Sequence, residues 1–262
     1  MTPLRLNNNG RELFALDLPP QQRRAVAQAV LLCNPLGHEA IRAQRLYRVL
    51  GDRLAASGVH VMRFDYFGSG DSAGDDSAFD VHGAVDDTRA VARALLQRSG
   101  AARLCLLGLR LGAEIAQLAA GALPVGRLIL LEPLADGAAY LQQLEHAHDA
   151  ELAAAFGPSW SGSAELRAFN RPPGSIDLLG CAITAPCREQ IVAAYRQPPH
   201  GAGAQVLVAT RDDAVRARWA AVPGVQFSDA ASGVDWTTSD SLNATLVPPM
   251  WLEVILRTFA NG

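Results

Sequence analysis

The sequence predicts an α/β fold, with a mostly parallel central sheet and helices on both faces. Short apolar runs rich in β-branched residues alternate with segments whose apolar residues have helical spacing. The connections are short, a pattern typical of β-α-β units with right-handed crossovers. Hydrophobic residues make up 49% of the 262 residues. A chain of this length and composition is therefore expected to bury a large core.

The first half of the chain is predicted to alternate strand and helix. Strands are expected at 11–18 (an edge strand), 25–33, 59–65, 103–107 and 126–132. Helices are expected at 39–56, 81–99 and 110–121. Gly58 and Gly100 follow the first two helices, and glycine is the usual residue after a helix end.

The regular alternation stops at residue 137 and resumes after residue 200. The intervening segment contains a long helical pattern, a loop rich in Gly, Ser and Pro, the strand-like "SIDLLG" and a further helix. Beyond it we expect strands at 204–210 and 224–229, a helix near 212–221 and a final helix from 249. We therefore predict a core domain made of residues 1–136 and 201–262, and a cap of residues 137–200 inserted over one end of the sheet.

The composition excludes several classes of function. A formal net charge of -3 gives no electrostatic basis for binding nucleic acid. All 23 basic residues are arginine, which excludes a catalytic lysine. The four cysteines lack metal-ligand spacing, and no apolar run reaches the roughly 20 residues of a membrane span. We expect a cytoplasmic protein with no metal, no cofactor, no nucleic-acid partner and no membrane-spanning segment.

Three motifs lie at the ends of predicted strands. "LGLRLGA" contains a G-x-x-x-G turn at 108–112, between a strand and a helix. "FDYFGSGDS" has a D-x-x-G-x-G-x-S pattern, and "CNPLG" follows the preceding strand. With these motifs the chain resembles the α/β-hydrolase fold superfamily, in its serine aminopeptidase-like branch. In that superfamily the turn is the nucleophile elbow, and the segment "CNPLG" corresponds to the oxyanion loop.

A longer set of segments carries a narrower resemblance. "NPLGHEAIRAQRLYRVL", "FDYFGSGDSAGD", "EPLADGAAYLQQL" and "DLLGCAIT" are similar to the group known as exosortase-A-associated hydrolase type 2. This resemblance implies a role in a bacterial biosynthetic pathway. Its name implies hydrolysis, which a shared fold does not establish.

Two members of the expected catalytic triad are missing from the sequence. The elbow pattern G-x-S-x-G has Arg110 in the serine position. The histidine is expected in the segment 229–245, which contains none, and the last histidine of the chain is His200. Asp212 or Asp213 stands at the usual acid position, but either is also a suitable helix N-cap. Hydrolysis by a serine–histidine–acid triad is therefore not expected.

Arg110 lies at a predicted helix N-terminus, where the helix dipole favours an anion and disfavours a cation. One interpretation is an internal ion pair with Glu39 or Glu132, each expected at the same sheet edge. The other is that Arg110 binds a carboxylate, phosphate or acyl carbonyl of a ligand, together with the backbone amides of Leu36 and Leu111. The two interpretations are compatible, because a carboxylate can hold Arg110 in place for a ligand.

Several other side chains are candidates for the same site. His38 and Glu39 are candidates for proton transfer, although His38 also suits an exposed helix start. Arg42 and Arg45 either surround an anionic ligand or are solvated surface residues. Cys33 is the only thiol near the site. An apolar wall over the sheet edge, or simple core packing, is expected from Tyr140, Leu141, Leu144, Trp160 and Phe169.

The leading hypothesis is an enzyme, or a protein derived from one, that acts on or binds a small acyl or anionic ligand without a serine nucleophile. A first alternative is an inactive binding or scaffolding module whose site is plugged. A second is an ester or thioester hydrolase with an unrecognised nucleophile. A homodimer is possible under each of them.

Overall fold

The computed structural model describes residues 1–21, 28–163, 165, 174–237 and 247–260. Eight strands form one twisted sheet in the order β1-β2-β4-β3-β5-β6-β9-β10, and β7 and β8 form a separate antiparallel pair. The strands are β1 Thr2–Asn8, β2 Arg11–Leu18, β3 Gln28–Cys33, β4 His60–Phe64, β5 Arg103–Leu109, β6 Val125–Leu131, β7 Ser175–Leu178, β8 Cys181–Thr184, β9 Gln205–Ala209 and β10 Val225–Ser228.

Helices cover both faces of the large sheet, as the sequence predicts. They are α1 Gly37–Ala56, α2 Val81–Ser99, α3 Leu111–Ala120, α4 Gly137–Phe156, α5 Ala185–Arg196, α6 Asp213–Trp219 and α7 Pro249–Ala260. One buried cluster contains Val91 of α2 and Ile115 of α3. The other contains Leu46 of α1 and Trp251 of α7. The sheet therefore has a separate apolar core on each face.

Two details of the sheet differ from the sequence prediction. The strand at 11–18 was expected at the edge, but β2 lies between β1 and β4 and is antiparallel to both. The edge strand on this side is β1, whose alternate residues are exposed and polar, so the sequence pattern did not predict it. The second strand of the β7–β8 pair was also not predicted.

The glycines of the elbow allow three backbone segments to approach closely. A Cβ atom on Gly112 would lie 2.3 Å from the carbonyl oxygen of Asn34, in the loop after β3. A Cβ atom on Gly108 would lie 2.3 Å from the carbonyl oxygen of Gly112. Both positions therefore require glycine, since any side chain would separate α3 from β5 or from the loop after β3.

The loop after β4 is held together by its own side chains. The carboxylate of Asp65 accepts a hydrogen bond from the backbone N–H of Asp71 at 3.0 Å. Ser72 Oγ donates to the carbonyl of Asp65 at 2.6 Å and accepts from the N–H of Phe14 at 2.8 Å. Gly70 has φ +55°, and a Cβ atom there would overlap the Asp65 carboxylate. These contacts give the D-x-x-G-x-G-x-S motif a structural role in this chain.

The segment between β6 and β9 forms α4, the β7–β8 pair and α5. Its helices are linked by an ion pair between Arg188 and Glu145 at 2.7 Å. Gln190 Oε1 accepts a hydrogen bond from the N–H of Val81 at 2.8 Å and so caps α2 of the core. The boundaries predicted for a cap at 137–200 remain a prediction. Within the described residues, no helix has the length and apolar character that crossing a membrane requires.

Candidate functional site

Arg110 occupies the strained position of the strand-to-helix turn. It is the residue before α3 and has φ 54° and ψ -123°, a conformation that L-residues rarely adopt. Its N–H donates to the carbonyl of Leu131 in β6 at 3.1 Å, and its carbonyl accepts from the N–H of Ala113 at 3.0 Å. A non-glycine residue in such a conformation costs about 1–3 kcal/mol, and such residues are concentrated at functional sites.

A buried carboxylate holds the guanidinium of Arg110. Arg110 Nε donates to Glu39 Oε1 at 3.0 Å, and Tyr140 Oη donates to Glu39 Oε2 at 3.0 Å. The Glu39 side chain is 1% exposed and that of Arg110 is 13% exposed. Arg110 Nη2 donates to Gln143 Oε1 at 3.0 Å, and the guanidinium lies 5.6 Å from the centre of the Tyr140 ring. Arg110 therefore links the elbow to α1 and to α4.

Burial and charge have opposite effects within this pair. Burial raises the pKa of Glu39 above its ordinary value, and the nearby guanidinium of Arg110 only partly offsets the rise. Burial opposes the charge of Arg110, but Glu39 and other neighbours outweigh it and raise the pKa of Arg110. The guanidinium is thus a permanent cation, whereas the charge on Glu39 depends on Arg110.

Part of the guanidinium remains open to a cavity. Among the described residues, none accepts a hydrogen bond from Arg110 Nη1. Arg110 lies in the wall of a cavity of about 450 Å³ at the carboxyl ends of β5, β6 and β9. The lining residues are Arg110, Glu132, Pro133, Gln143, Thr210, Arg211, Asp212, Ala231, Gly233, Val234, Asp235 and Trp236. We call this space the elbow cavity.

Glu132 lies in the same wall but does not pair with Arg110. Glu132 Oε2 accepts from Trp236 Nε1 at 2.7 Å, and both of its oxygens accept from the hydroxyl of Ser232 at 2.8 and 2.9 Å. The backbone N–H of Ser232 also donates to Oε1. Glu132 has φ 39°, so a second strained non-glycine residue contributes to the elbow cavity. Of the two predicted partners for Arg110, the structure selects Glu39.

The loop after β10 contributes Trp236 to the cavity. The resemblance to α/β hydrolases predicts the catalytic histidine in this loop. The indole of Trp236 is 2% exposed and stacks on Trp251, with the ring centres 6.2 Å apart. The indole N–H can donate a hydrogen bond but has no lone pair to accept a proton. Asp212 accepts hydrogen bonds from the N–H groups of Ala214 and Val215 and is the N-cap of α6, as predicted. Among the described residues that line the cavity, none is a histidine.

Other predicted site residues lie elsewhere. His38 and Leu36 line a different cavity of about 380 Å³, beside the loop after β4. Burial, then the positive charge of Arg42, lowers the pKa of His38. Leu111, the first residue of α3, is fully buried, and the roles of the Leu36 and Leu111 amides remain predictions. Because His38 lines this second cavity and not the elbow cavity, its position does not support proton transfer to a ligand beside Arg110.

Arg42 is not a solvated surface residue, which was one of its two expected positions. It is 5% exposed, and Nη1 donates to the backbone carbonyl of Asp235 at 3.0 Å, while its contact with a ligand remains a prediction. Arg45 is exposed, as the surface interpretation predicts. Of the residues expected in an apolar wall or in core packing, Tyr140, Leu141, Leu144 and Trp160 are buried, as core packing predicts, and Phe169 lies outside the described residues.

Sequence reasoning missed several residues of the elbow cavity. Gln143 lies three residues after Tyr140 on α4, so helical spacing gave a signal that it shares a face with a predicted site residue. Ser232 and Trp236 lie in the segment 229–245, in which the resemblance predicts a histidine. Their carboxylate-binding groups, a hydroxyl and an indole N–H, are recognisable only once Glu132 is placed beside them.

Comparison with known families identifies the family to which this chain belongs. The family model described as "Serine aminopeptidase, S33" matches residues 25–179, more than half of the chain. This chain belongs to the serine aminopeptidase S33 family. The matched span includes the oxyanion loop, the loop after β4, the elbow and part of the segment between β6 and β9. No curated protein matches the sequence significantly.

Solved structures show that the S33 family member has the α/β-hydrolase fold. Est1E from Butyrivibrio proteoclasticus, solved with ferulic acid bound, superposes with a TM-score of 0.65 at 16% identity, covering 98% of this chain and 99% of Est1E. Proline iminopeptidase from Mycobacterium smegmatis gives a TM-score of 0.59 at 16% identity, covering 99% and 98%. The bottromycin epimerase BotH, in complex with bottromycin A2, gives 0.55 at 20% identity, covering 100% and 99%.

Proposed function

We propose that this S33 family member binds a small acyl or carboxylate ligand in the elbow cavity and does not use a serine nucleophile. The observation that carries the proposal is the position of Arg110. Its guanidinium is fixed by Glu39 on one edge, and Nη1 remains available at the cavity wall. A fixed guanidinium donates hydrogen bonds to a carboxylate or carbonyl oxygen with little loss of side-chain entropy on binding.

The absence of a histidine from the described lining of the elbow cavity argues against hydrolysis by a serine–histidine–acid triad. Trp236 binds the Glu132 carboxylate through an indole that cannot accept a proton. Cys33, the thiol near the site, is fully buried, and burial raises its pKa well above the ordinary value. It is therefore a poor nucleophile. The structural neighbour BotH is an epimerase, so this fold also accommodates functions other than hydrolysis.

The plugged-site alternative makes a different prediction about the cavity. If the ion pair served stability alone, Arg110 would contribute nothing to ligand binding. The open Nη1 and the polar lining favour binding over a purely structural plug.

Two measurements test the proposal. A fluorophosphonate probe should not label the protein, with an active esterase of the same fold as the positive control; stoichiometric labelling would overturn the proposal. Thermal-shift titration with benzoate and 3-phenylpropanoate should raise the Tm of the wild type by about 3 °C when the ligand is at about ten times its Kd.

The variants for the binding test distinguish a loss of ligand binding from a loss of the folded state. R110M/E39Q removes both charges of the pair and keeps an oxygen acceptor for Tyr140, so it is expected to fold and to lose the thermal shift. R257M is the matched control, because Arg257 forms an exposed ion pair on α7 with Glu253. Equal shifts in the wild type and in R110M/E39Q would assign the pair to stability alone.

A further inference from the structure

Arg110 predicts an anionic group on the ligand, and the other charged side chains around the elbow cavity predict a second group. Two guanidinium groups, those of Arg110 and Arg211, lie in the lining with three carboxylates, those of Glu132, Asp212 and Asp235. The buried guanidinium of Arg42 also contacts Asp235, so charges of both signs surround the cavity. A purely anionic ligand held by Arg110 would lie beside the carboxylate of Glu132, which is unfavourable in a partly buried space.

Glu132 is a carboxylate of the cavity wall whose hydrogen-bond donors are all neutral. Its four hydrogen bonds come from Ser232 and Trp236, and all of these donors are neutral. In the described part of the chain, neither an arginine nor a histidine forms an ion pair with it, whereas Glu39 and Glu114 are each paired with an arginine. Glu132 is only partly exposed, so water compensates its charge incompletely.

The backbone presents Glu132 and Arg110 in a similar way. Arg110 follows β5 and Glu132 follows β6, and these strands are parallel neighbours in the sheet. Both residues have positive φ, 54° and 39°, although neither is glycine. Residues with such backbone conformations are concentrated at functional sites, and both of these side chains line the elbow cavity.

We infer that the ligand of the elbow cavity is a zwitterion, whose carboxylate or carbonyl binds Arg110 and whose protonated amine binds Glu132. This inference rests on the proposed function and adds the second charge of the ligand. A protonated amine supplies the cation that Glu132 lacks, and a ligand with no net charge avoids repulsion from the carboxylates of the wall. Neutral or anionic acyl compounds satisfy only the Arg110 half of the site.

Three probes with the same carbon skeleton test the inference: L-phenylalanine, 3-phenylpropanoate without the amine, and 2-phenylethylamine without the carboxylate. Thermal-shift and calorimetric titrations on the full-length wild type should give the tightest binding for L-phenylalanine, by about tenfold over 3-phenylpropanoate. That ratio is the effect expected for one partly buried charge pair.

The variant E132Q should remove this preference. It keeps an oxygen acceptor for the indole of Trp236 but carries no charge, so L-phenylalanine and 3-phenylpropanoate should then bind equally. E253Q is the matched control, since Glu253 lies exposed on α7. A preference for L-phenylalanine that persists unchanged in E132Q would overturn the inference.

The probes also distinguish the inference from the proposed function. If 3-phenylpropanoate binds the wild type as tightly as L-phenylalanine, the zwitterion is refuted and the carboxylate ligand stands. If 2-phenylethylamine binds as tightly as L-phenylalanine, the carboxylate plays no part and both are refuted. If none of the three shifts the Tm at about 10 mM, well above any useful Kd, both also fail.

Discussion

Replacing Glu39 by glutamine is expected to destabilise the protein by about 3 kcal/mol at neutral pH. Glutamine keeps the size of the side chain and an oxygen acceptor for the hydroxyl of Tyr140. It removes the negative charge beside Arg110, at 3.0 Å. The guanidinium is then left mostly buried and without its ion-pair partner.

The magnitude follows from the burial of the two groups. A hydrogen bond to a charged group contributes about 1.5–3 kcal/mol. Breaking a buried pair by removing one partner costs about 3–5 kcal/mol. The lower end applies, because Arg110 is 13% exposed and the Glu132 carboxylate also interacts with it. For a domain of this size, about 3 kcal/mol lowers the Tm by roughly 6–12 °C.

Urea unfolding monitored by tryptophan fluorescence measures this cost. A double-mutant cycle with E39Q, R110M and R110M/E39Q gives the coupling energy directly. The double variant should be more stable than either single one, because no unpaired buried charge remains. Q143A is the control, since Gln143 is exposed, and its contact with Arg110 should be worth less than about 1 kcal/mol. A cost below about 0.5 kcal/mol for E39Q would refute the reasoning.

The pH dependence of R110M gives an independent check. Without Arg110, the pKa of Glu39, already raised by burial, should rise further. A carboxyl whose folded pKa exceeds its unfolded value binds protons more tightly when folded, so stability falls as the pH rises above the unfolded value of 4.5. R110M should therefore lose more stability relative to the wild type at pH 8 than at pH 5, and a flat difference would contradict this.

Three further predictions concern other parts of the chain. Burial opposes the charge of Asp17, but hydrogen bonds from His60 and Arg98 outweigh it and lower its pKa. The stabilisation that the Asp17 carboxylate contributes is therefore complete above its unfolded pKa of 3.8 and is lost as the pH falls through the lower folded pKa. D17N should lower the free energy of unfolding by about 3 kcal/mol at pH 7, measured by urea unfolding. Equal loss of stability in acid for D17N and the wild type would contradict the role of this carboxylate. G112A should lower the Tm by about 6 °C or more, because its methyl group would overlap a backbone carbonyl; an unchanged Tm would show that α3 shifts freely. R110S should remain inactive in a p-nitrophenyl ester assay, since the described lining of the elbow cavity contains no histidine to act as the triad's base, and measurable turnover would refute the assignment.

Much of the fold could be predicted from periodicity and turn chemistry. The helix expected at 81–99 has those bounds in the structure, where Asp80 caps its start and Gly100 ends it in the left-handed conformation. These signals are local, so the sequence carries them fully. The edge strand β1 was missed because it is half exposed, and its alternation of polar and apolar residues spans too few buried positions to stand out.

The candidate site was predicted less completely, because it depends on distances between loops. Topology places Glu39 and Glu132 at one sheet edge, but their side-chain directions select the partner of Arg110. Arg42 was expected either around a ligand or in solvent, and its hydrogen bond to the backbone carbonyl of Asp235 depends on the path of the loop after β10. Such paths are set by packing between distant segments and have no periodic signal.

The pair of Arg110 and Glu39 also restricts how this protein can evolve by single substitutions. Changing Arg110 to serine first would leave Glu39 as a buried, unpaired acid, and changing Glu39 first would leave an unpaired guanidinium. Either first step removes about 3 kcal/mol from a total stability that is typically about 5–15 kcal/mol. The route back to a serine at the elbow therefore passes through a weakened intermediate, so the arginine is retained by the stability of the fold as well as by any ligand.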